Sequence, residues 1–353
     1  MKNKVLITGG AGFVGTHLVN YLLREDNCEI VIFDQLPKNE QDFLSNRIVY
    51  FEGNIIMIEQ VKKVFKKYGP FSVVYHLASA MPNKVVSDDI LWKTNTIGTF
   101  NVISQAVINR SKSFIFTSSN VTWGIPVSLP VIEETPTLPL EIYGKSKIQA
   151  EKEIEKFINR INIQIFRCPV ITGIGRLGLQ AILYEFISEN KNVYMLGNGS
   201  NKYQFIDISD LVVALKNSIK IKGFDIYAIG ADKVLTLREI YKRIILYAGS
   251  TSKIISLPMS PALFILSILD KLNISPLGVY QYTMLGLSIY ADTRKIKNKL
   301  KWLPKKTNLD TFIENYNWYI KNKNSFQEIG SSNFSANKSL PKMGIFRLLK
   351  ILS

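Results

Sequence analysis

The stretch Lys4-Val5-Leu6-Ile7-Thr8-Gly9-Gly10-Ala11-Gly12-Phe13-Val14-Gly15 decides how the rest of the chain is read. Val5 to Thr8 form an apolar, β-branched run that predicts a buried strand over 4–8. Phe13, Val14, Leu18, Tyr21 and Leu22 then recur with the spacing of a helix running to Arg24. The glycines between them each have a mechanical use. Gly9 allows a sharp turn, Gly12 lets a pyrophosphate approach the backbone, and Gly15 lets the helix pack on the sheet. N–H groups at the helix start would hold the phosphates. A second strand over 29–33 ends in Asp34, 19 residues after Gly15. An acid there accepts from both ribose hydroxyls and repels a 2′-phosphate, so the arrangement points to NAD rather than NADP.

From this unit the strand–helix alternation continues. Strands are predicted at 48–52, 72–77, 113–117 and 163–167, with helices between them. Such alternation predicts an α/β fold, a Rossmann-type doubly wound parallel sheet. Beyond about 171 the pattern loosens to a helix near 176–190, a strand near 193–196 and a Gly197-Asn198-Gly199-Ser200 turn. Phe205-Ile206-Asp207 reads as a return to the sheet, and 225–230 as its last strand. The expected division is a dinucleotide domain over 1–170 with 203–230 returning to it. A smaller, mostly helical substrate lobe takes 171–202 and 231–322, and 323–353 forms a flexible basic tail.

Chemistry enters with Tyr143-Gly144-Lys145-Ser146-Lys147. Residues four apart share a helix face, so the Lys147 ammonium can lie beside the Tyr143 phenol and favour its ionised form. Such a phenolate can take an alcohol proton while a nicotinamide takes the hydride.

Read together, these motifs resemble the extended short-chain dehydrogenase/reductase superfamily, in the branch holding NAD-dependent nucleotide-sugar epimerases and dehydratases. Further matches follow in order: Gly53-Asn54-Ile55, Tyr75-His76-Leu77-Ala78-Ser79, Asn95-Thr96-Ile97-Gly98-Thr99, Phe116-Thr117-Ser118-Ser119 and Leu300-Lys301-Trp302-Leu303-Pro304. The likeness spans roughly residues 2 to 320. It implies a catalytic trio of Ser119, Tyr143 and Lys147, with Lys147 also bonding the nicotinamide ribose. It implies cofactor contacts at Gly9, Gly12, Phe13, Val14, Gly15, Asp34, Asn54, Ile55, Leu77, Ala78, Ser79, Asn95, Thr117 and Pro169. Substrate contacts are expected from Ser119, Asn120, Val170, Arg176, Lys202 and Tyr203. It further implies a homodimer pairing helices near 90–108 and 144–158.

Within that family dehydratases carry an acid just after the Ser/Thr, and Asn120-Val121-Thr122 offers none. An amide is a poor proton donor to a leaving hydroxyl, which disfavours dehydration and decarboxylation. Three readings stay open. One is epimerisation or oxidation of a nucleotide-activated sugar in surface-polysaccharide synthesis. Another is hydroxysteroid-dehydrogenase-like oxidation of an apolar or lipid-linked alcohol, which the run Pro261-Ala262-Leu263-Phe264-Ile265-Leu266 would suit. The third is a non-catalytic NAD-binding protein, against which the intact trio argues. Departures from the sugar-enzyme pattern are Cys168-Pro169-Val170 after Arg167, Tyr203 where a diphosphate-binding Arg is common, and Trp123 before Gly124. Lys202 or Arg176 could supply the missing cation.

Bulk properties narrow the setting. The chain has 353 residues, enough for two lobes, and 46% hydrophobic residues, enough for a large core. Two cysteines, Cys28 and Cys168, suggest no disulfide framework. His17 and His76 read as packing residues, no Cys/His cluster has metal spacing, and Glu133-Glu134 reads as solvated loop. No signal peptide or membrane-spanning run is apparent, so a cytoplasmic location is expected. The net charge of +16 is spread along the chain without a nucleic-acid-binding motif, which argues against a nucleic-acid partner. Met343 to Leu352 would gather apolar residues against Arg347 and Lys350, suiting weak contact with the inner membrane face.

Overall fold

Strand β1 (Lys4–Thr8) is buried on both faces, as a central parallel strand must be. The computed structural model describes residues 3–37, 45–82, 86–177, 180–271, 284 and 286–326. Around β1 lie β2 (Glu29–Asp34), β3 (Ile48–Glu52), β4 (Val73–His76), β5 (Ser113–Ser119), β6 (Asn162–Cys168) and β10 (Phe224–Ala228), the seven forming one sheet. Their order is β10-β6-β5-β4-β1-β2-β3 and every pairing is parallel. The order reverses between β1 and β4, which opens a crevice at the carboxyl ends of those strands.

Alternate side chains feed two cores. Val5, Ile7, Ile30, Ile32 and Ile115 pack beneath helices α1 (Phe13–Glu25) and α7 (Ile208–Ser218). Leu6, Val31, Phe33, Phe114 and Phe116 face α2 (Ile58–Tyr68), α4 (Thr99–Ile108) and α5 (Ile142–Glu155). The period of two along each strand explains this split. Helix α3 (Asp88–Lys93) runs into α4 through a π-turn at Thr94–Gly98.

A third core belongs to the smaller lobe. Tyr184, Phe186 and Ile187 of α6 (Gln180–Ser188) meet Ile240 and Ile244 of α8 (Leu237–Tyr247). Phe312, Tyr316 and Tyr319 of α11 (Asn308–Asn322) complete it. Two short parallel sheets flank it, β7 (Val170–Thr172) with β9 (Phe205–Asp207) and β8 (Val193–Leu196) with β11 (Ile254–Leu257). Helix α9 (Met259–Lys271) follows β11.

Two sequence expectations change here. Phe205-Ile206-Asp207 pairs with β7 rather than rejoining the main sheet, because the chain has crossed into the small lobe before β10 returns to the edge. Residues of α10 (Arg294–Leu300) belong to the dinucleotide domain rather than the substrate lobe, since Ile296, Leu300 and Trp302 are buried in the first core. Trp302 Nε1 donates to the Asp210 carbonyl at 3.0 Å, and the Asp210 carboxylate accepts from the amides of Lys305 and Lys306, both at 3.0 Å. The tail from 327 lies outside the described residues.

Candidate active site

Helix α5 begins at a deliberate cap. The Glu141 carboxylate accepts from the amides of Tyr143 (2.8 Å) and Gly144 (2.9 Å), satisfying two donors the helix itself leaves open. This sets Tyr143 and Lys147 one turn apart on the buried face, 8% and 2% exposed. Lys147 Nζ donates to the Thr117 carbonyl at 3.0 Å and lies 4.8 Å from the Phe116 ring centroid and 5.8 Å from that of Tyr143. Burial lowers the ammonium from an ordinary 10.5 to about 8.

The phenol departs from expectation. Burial pushes Tyr143 up to about 12, opposed by a hydrogen bond with the Ser79 hydroxyl and by the charge of Arg176. The sequence had suggested that Lys147 would pull it below its usual value. Desolvation, which disfavours the charged form of each group, is the largest cause in both shifts. Arg176, beyond β7, is held by its amide on the Gly173 carbonyl at 3.1 Å, with its guanidinium 5.3 Å from the Phe13 ring centroid. That position joins the start of α1 to the side of the phenol.

Asn95, in the π-turn, ties the parts together. Its Oδ1 accepts from Ser79 Oγ (3.0 Å) and the Ala80 amide (2.8 Å), and its Nδ2 donates to the Ala80 carbonyl (3.1 Å) and Ser146 Oγ (2.9 Å). Ser146 Oγ donates in turn to the Tyr143 carbonyl at 2.8 Å. All four bonding sites of the amide are used, so its evident work is positioning the β4 loop against α5. Ser146 escaped the sequence reading, although its place three after Tyr143 could have indicated it.

A dinucleotide fits the crevice. The N-cap of α1, Gly12, offers no side-chain bond, which leaves the first-turn amides of Phe13, Val14 and Gly15 open to an anion. Gly9 has φ +70°, and a Cβ there would stand 2.6 Å from the Ala78 amide nitrogen. A Cβ on Gly15 would stand 2.2 Å from the Gly9 carbonyl oxygen. Asp34 Oδ2 accepts from the Ala11 amide at 2.9 Å and Oδ1 from the Leu36 amide at 3.1 Å, so its carboxylate is aimed at the glycine loop. Asn54 Oδ1 accepts from the Ile56 amide at 2.9 Å, and Ile55 is packed against Gly98 in the second core. Leu77 follows β4, its amide on the Thr8 carbonyl at 3.1 Å, while Pro169 is buried after β6.

Residues expected to meet the substrate are less gathered. Ser119 ends β5, where its Oγ accepts from the Val121 amide at 3.4 Å, and the hydroxyl set against Tyr143 is that of Ser79. Asn120 is buried and lines a small void with Trp123, Gln204 and Tyr290. Lys202 Nζ lies 5.9 Å from the Tyr290 ring centroid, and Tyr203 packs in the small-lobe core beside Phe205. Val170 is exposed on β7.

A buried ionic clamp sits behind the site. Arg167 Nη2 and Nε donate to the Glu151 carboxylate at 2.8 and 3.2 Å, Ser118 Oγ donates to it at 2.5 Å, and Arg167 Nη1 donates to the Glu133 carbonyl at 2.9 Å. Glu133 is therefore no solvated loop residue. Its Oε1 accepts from the Ala228 amide at 2.9 Å, and burial raises its pKa. His76 has the packing role expected of it. Thr99 Oγ1 donates to the Asn95 carbonyl (2.7 Å), so it accepts from His76 Nε2 (2.9 Å), while Thr8 Oγ1 donates to Nδ1 (2.7 Å). Burial drops this imidazole to about 3 and keeps it neutral.

Known proteins resemble this chain along most of its length. The model of the NAD dependent epimerase/dehydratase family matches residues 5–230. The uncharacterized protein y4nG of Sinorhizobium fredii is 32% identical, over 94% of this chain and 82% of its own. A UDP-glucose 4-epimerase of Halalkalibacterium halodurans is 23% identical, over 89% of this chain and 95% of its own. Among solved structures, the Bordetella bronchiseptica enzyme WbmG in complex with NAD and UDP superposes with a TM-score of 0.72 at 21% identity, covering 90% of this chain and 94% of that one.

Proposed function

The chain belongs to the NAD-dependent epimerase/dehydratase family, and from that premise we propose that it epimerises or oxidises a hydroxyl of a UDP-activated sugar through a ketone. The observation that carries this reading is the group of buried Tyr143 and Lys147 with half-buried Ser79 at the carboxyl end of the sheet, beside the open amides of α1. The likeness to UDP-glucose 4-epimerases over nine-tenths of the chain supports the substrate class.

NAD, when bound, supplies the acceptor for a hydride from the carbinol carbon. Phe13, Val14 and Gly15 amides would hold its diphosphate, and Asp34 its adenine ribose. Burial favours the neutral phenol, so Tyr143 acts as the base only once ionised beside the charges of Lys147 and Arg176. It then takes the hydroxyl proton as the hydride leaves and returns it when the ketone is reduced. Ser79 Oγ, its own proton on Asn95 Oδ1, holds the phenol in place by a hydrogen bond, while Lys147 and Arg176 place positive charge where negative charge develops. Ser119, in this reading, bonds the reacting oxygen. Asn120 leaves the site without a dehydrating acid, so the water-retaining reactions are favoured.

The test is incubation of the protein with NAD and UDP-glucose, with separation of the sugar nucleotides formed. UDP-galactose at catalytic turnover supports the proposal. Absence of any product from a panel of UDP-sugars, with NADH released from steroid or lipid-linked alcohols instead, would replace it with the second reading. A role in surface-polysaccharide synthesis, in the cytoplasm, follows from the same substrate class. Ile97, Phe100 and Ile108 stand exposed along α4 and the π-turn before it and support the homodimer, which a solution mass of one protomer would refute.

A further inference from the structure

The small lobe carries a second surface that the reaction does not use. Along α8, Arg238, Lys242, Ile245 and Leu246 recur at helical spacing and share a face, while Leu237, Ile240 and Ile244 point into the core. Between this face and Lys253-Ile254 at the start of β11 runs a groove of about 430 Å³. Three of its lining residues are cations and none is a carboxylate. Leu246 is 81% exposed at its edge. The two elements that follow present Ile255, Phe264 and Ile268 to solvent. Arg238 is already engaged, with Nε donating to the Asn198 carbonyl and Nη2 to Ser256 Oγ, whereas Lys242 and Lys253 are exposed at the groove.

Cations and aliphatic side chains side by side suit one environment, the boundary between phosphate headgroups and acyl chains. We propose that this α8–β11 face docks on an anionic phospholipid membrane, with Lys242 and Lys253 meeting headgroup phosphates and Leu246 entering the interface. Charge decides among the occupants. A two-fold contact with another copy would set three cations against the same three. The chain's own C-terminal segment carries Arg347 and Lys350 and is repelled in the same way. A free anion would leave Leu246 in water. The net charge of +16 adds long-range attraction to an acidic surface.

The experiment is flotation of the full chain with vesicles of phosphatidylcholine alone or mixed with phosphatidylglycerol. Compared with it are Lys242→Glu/Lys253→Glu, Leu246→Asp, and the tail variant Arg347→Glu/Lys350→Glu. The three groove positions are exposed, and an unchanged melting temperature confirms the fold of each variant. The wild type should float with the anionic vesicles only. Each basic residue near an anionic surface is worth about fivefold in partitioning, so the double lysine variant should lose roughly 25-fold or more, Leu246→Asp should also lose binding, and the tail variant should keep it. Equal binding to neutral vesicles, no binding at all, or loss in the tail variant but not the groove variants would overturn the proposal.

Discussion

Lys147 is the residue whose environment differs most from what its sequence neighbourhood implies. Its spacing from Tyr143 was legible, because helix geometry alone puts positions four apart on one face. Its desolvation was not, because Phe116, Thr117 and Cys168 reach it from other strands. The same limit hid Ser79 and Arg176 as the groups acting on the phenol. The pKa of about 8 has a consequence for stability. Between pH 8 and 10.5 the unfolded chain holds a proton that the folded chain has released, so stability rises with pH across that window. Without NAD, denaturant unfolding at pH 7.5 and 9.5 should show the wild type gaining about 1–2 kcal/mol relative to Lys147→Met. Parallel profiles would mean that Lys147 keeps an ordinary pKa.

At the scale of elements, α5 is the part on which the site is built. Its start is fixed by Glu141, its middle by Ser146 on Asn95, and its far end by Glu151 in the clamp with Arg167 and Ser118. Glu151 lies four residues beyond Lys147 on the same face, a spacing visible in the sequence, but its partner on β6 was not. Removing one member of a buried pair strands the other charge. Arg167→Met should therefore cost about 3–5 kcal/mol in denaturant unfolding, whereas a loss below about 1 kcal/mol would show the clamp to be solvated. The strands of the main sheet were legible to within a residue or two, since burial between two cores leaves a plain apolar signature, whereas β7 and β11 of the small lobe were not. The π-turn at Thr94–Gly98 was not, because its π-helical geometry reflects an inward Asn95 and the packing of Gly98 on Ile55.

Across the whole molecule, three buried cores surround the crevice at the carboxyl ends of β1 and β4. The sheet order reverses beside β1, and the groups in the proposed chemistry come from strand ends, loops and the first two turns of helices. This much follows from the glycine run and from strand alternation. The assignment of Ile296, Leu300 and Trp302 to the dinucleotide domain does not, because their partners on α7 and β10 lie some 70 to 90 residues earlier in the chain. Trp302 marks the place where the chain, having built the small lobe, comes back to close the first core. Lys202 and Tyr203, expected at the substrate, lie beside Tyr290 and Phe205 in the small lobe.

The account rests on a buried phenol exchanging a proton with the sugar while the dinucleotide stays in place. Its most direct test is turnover of Tyr143→Phe with NAD and the accepted UDP-sugar, read beside the rise in melting temperature that NAD produces. The variant should lose turnover by about 10²- to 10⁴-fold and keep the full NAD-dependent rise. A variant as active as the wild type would contradict the assignment of the base.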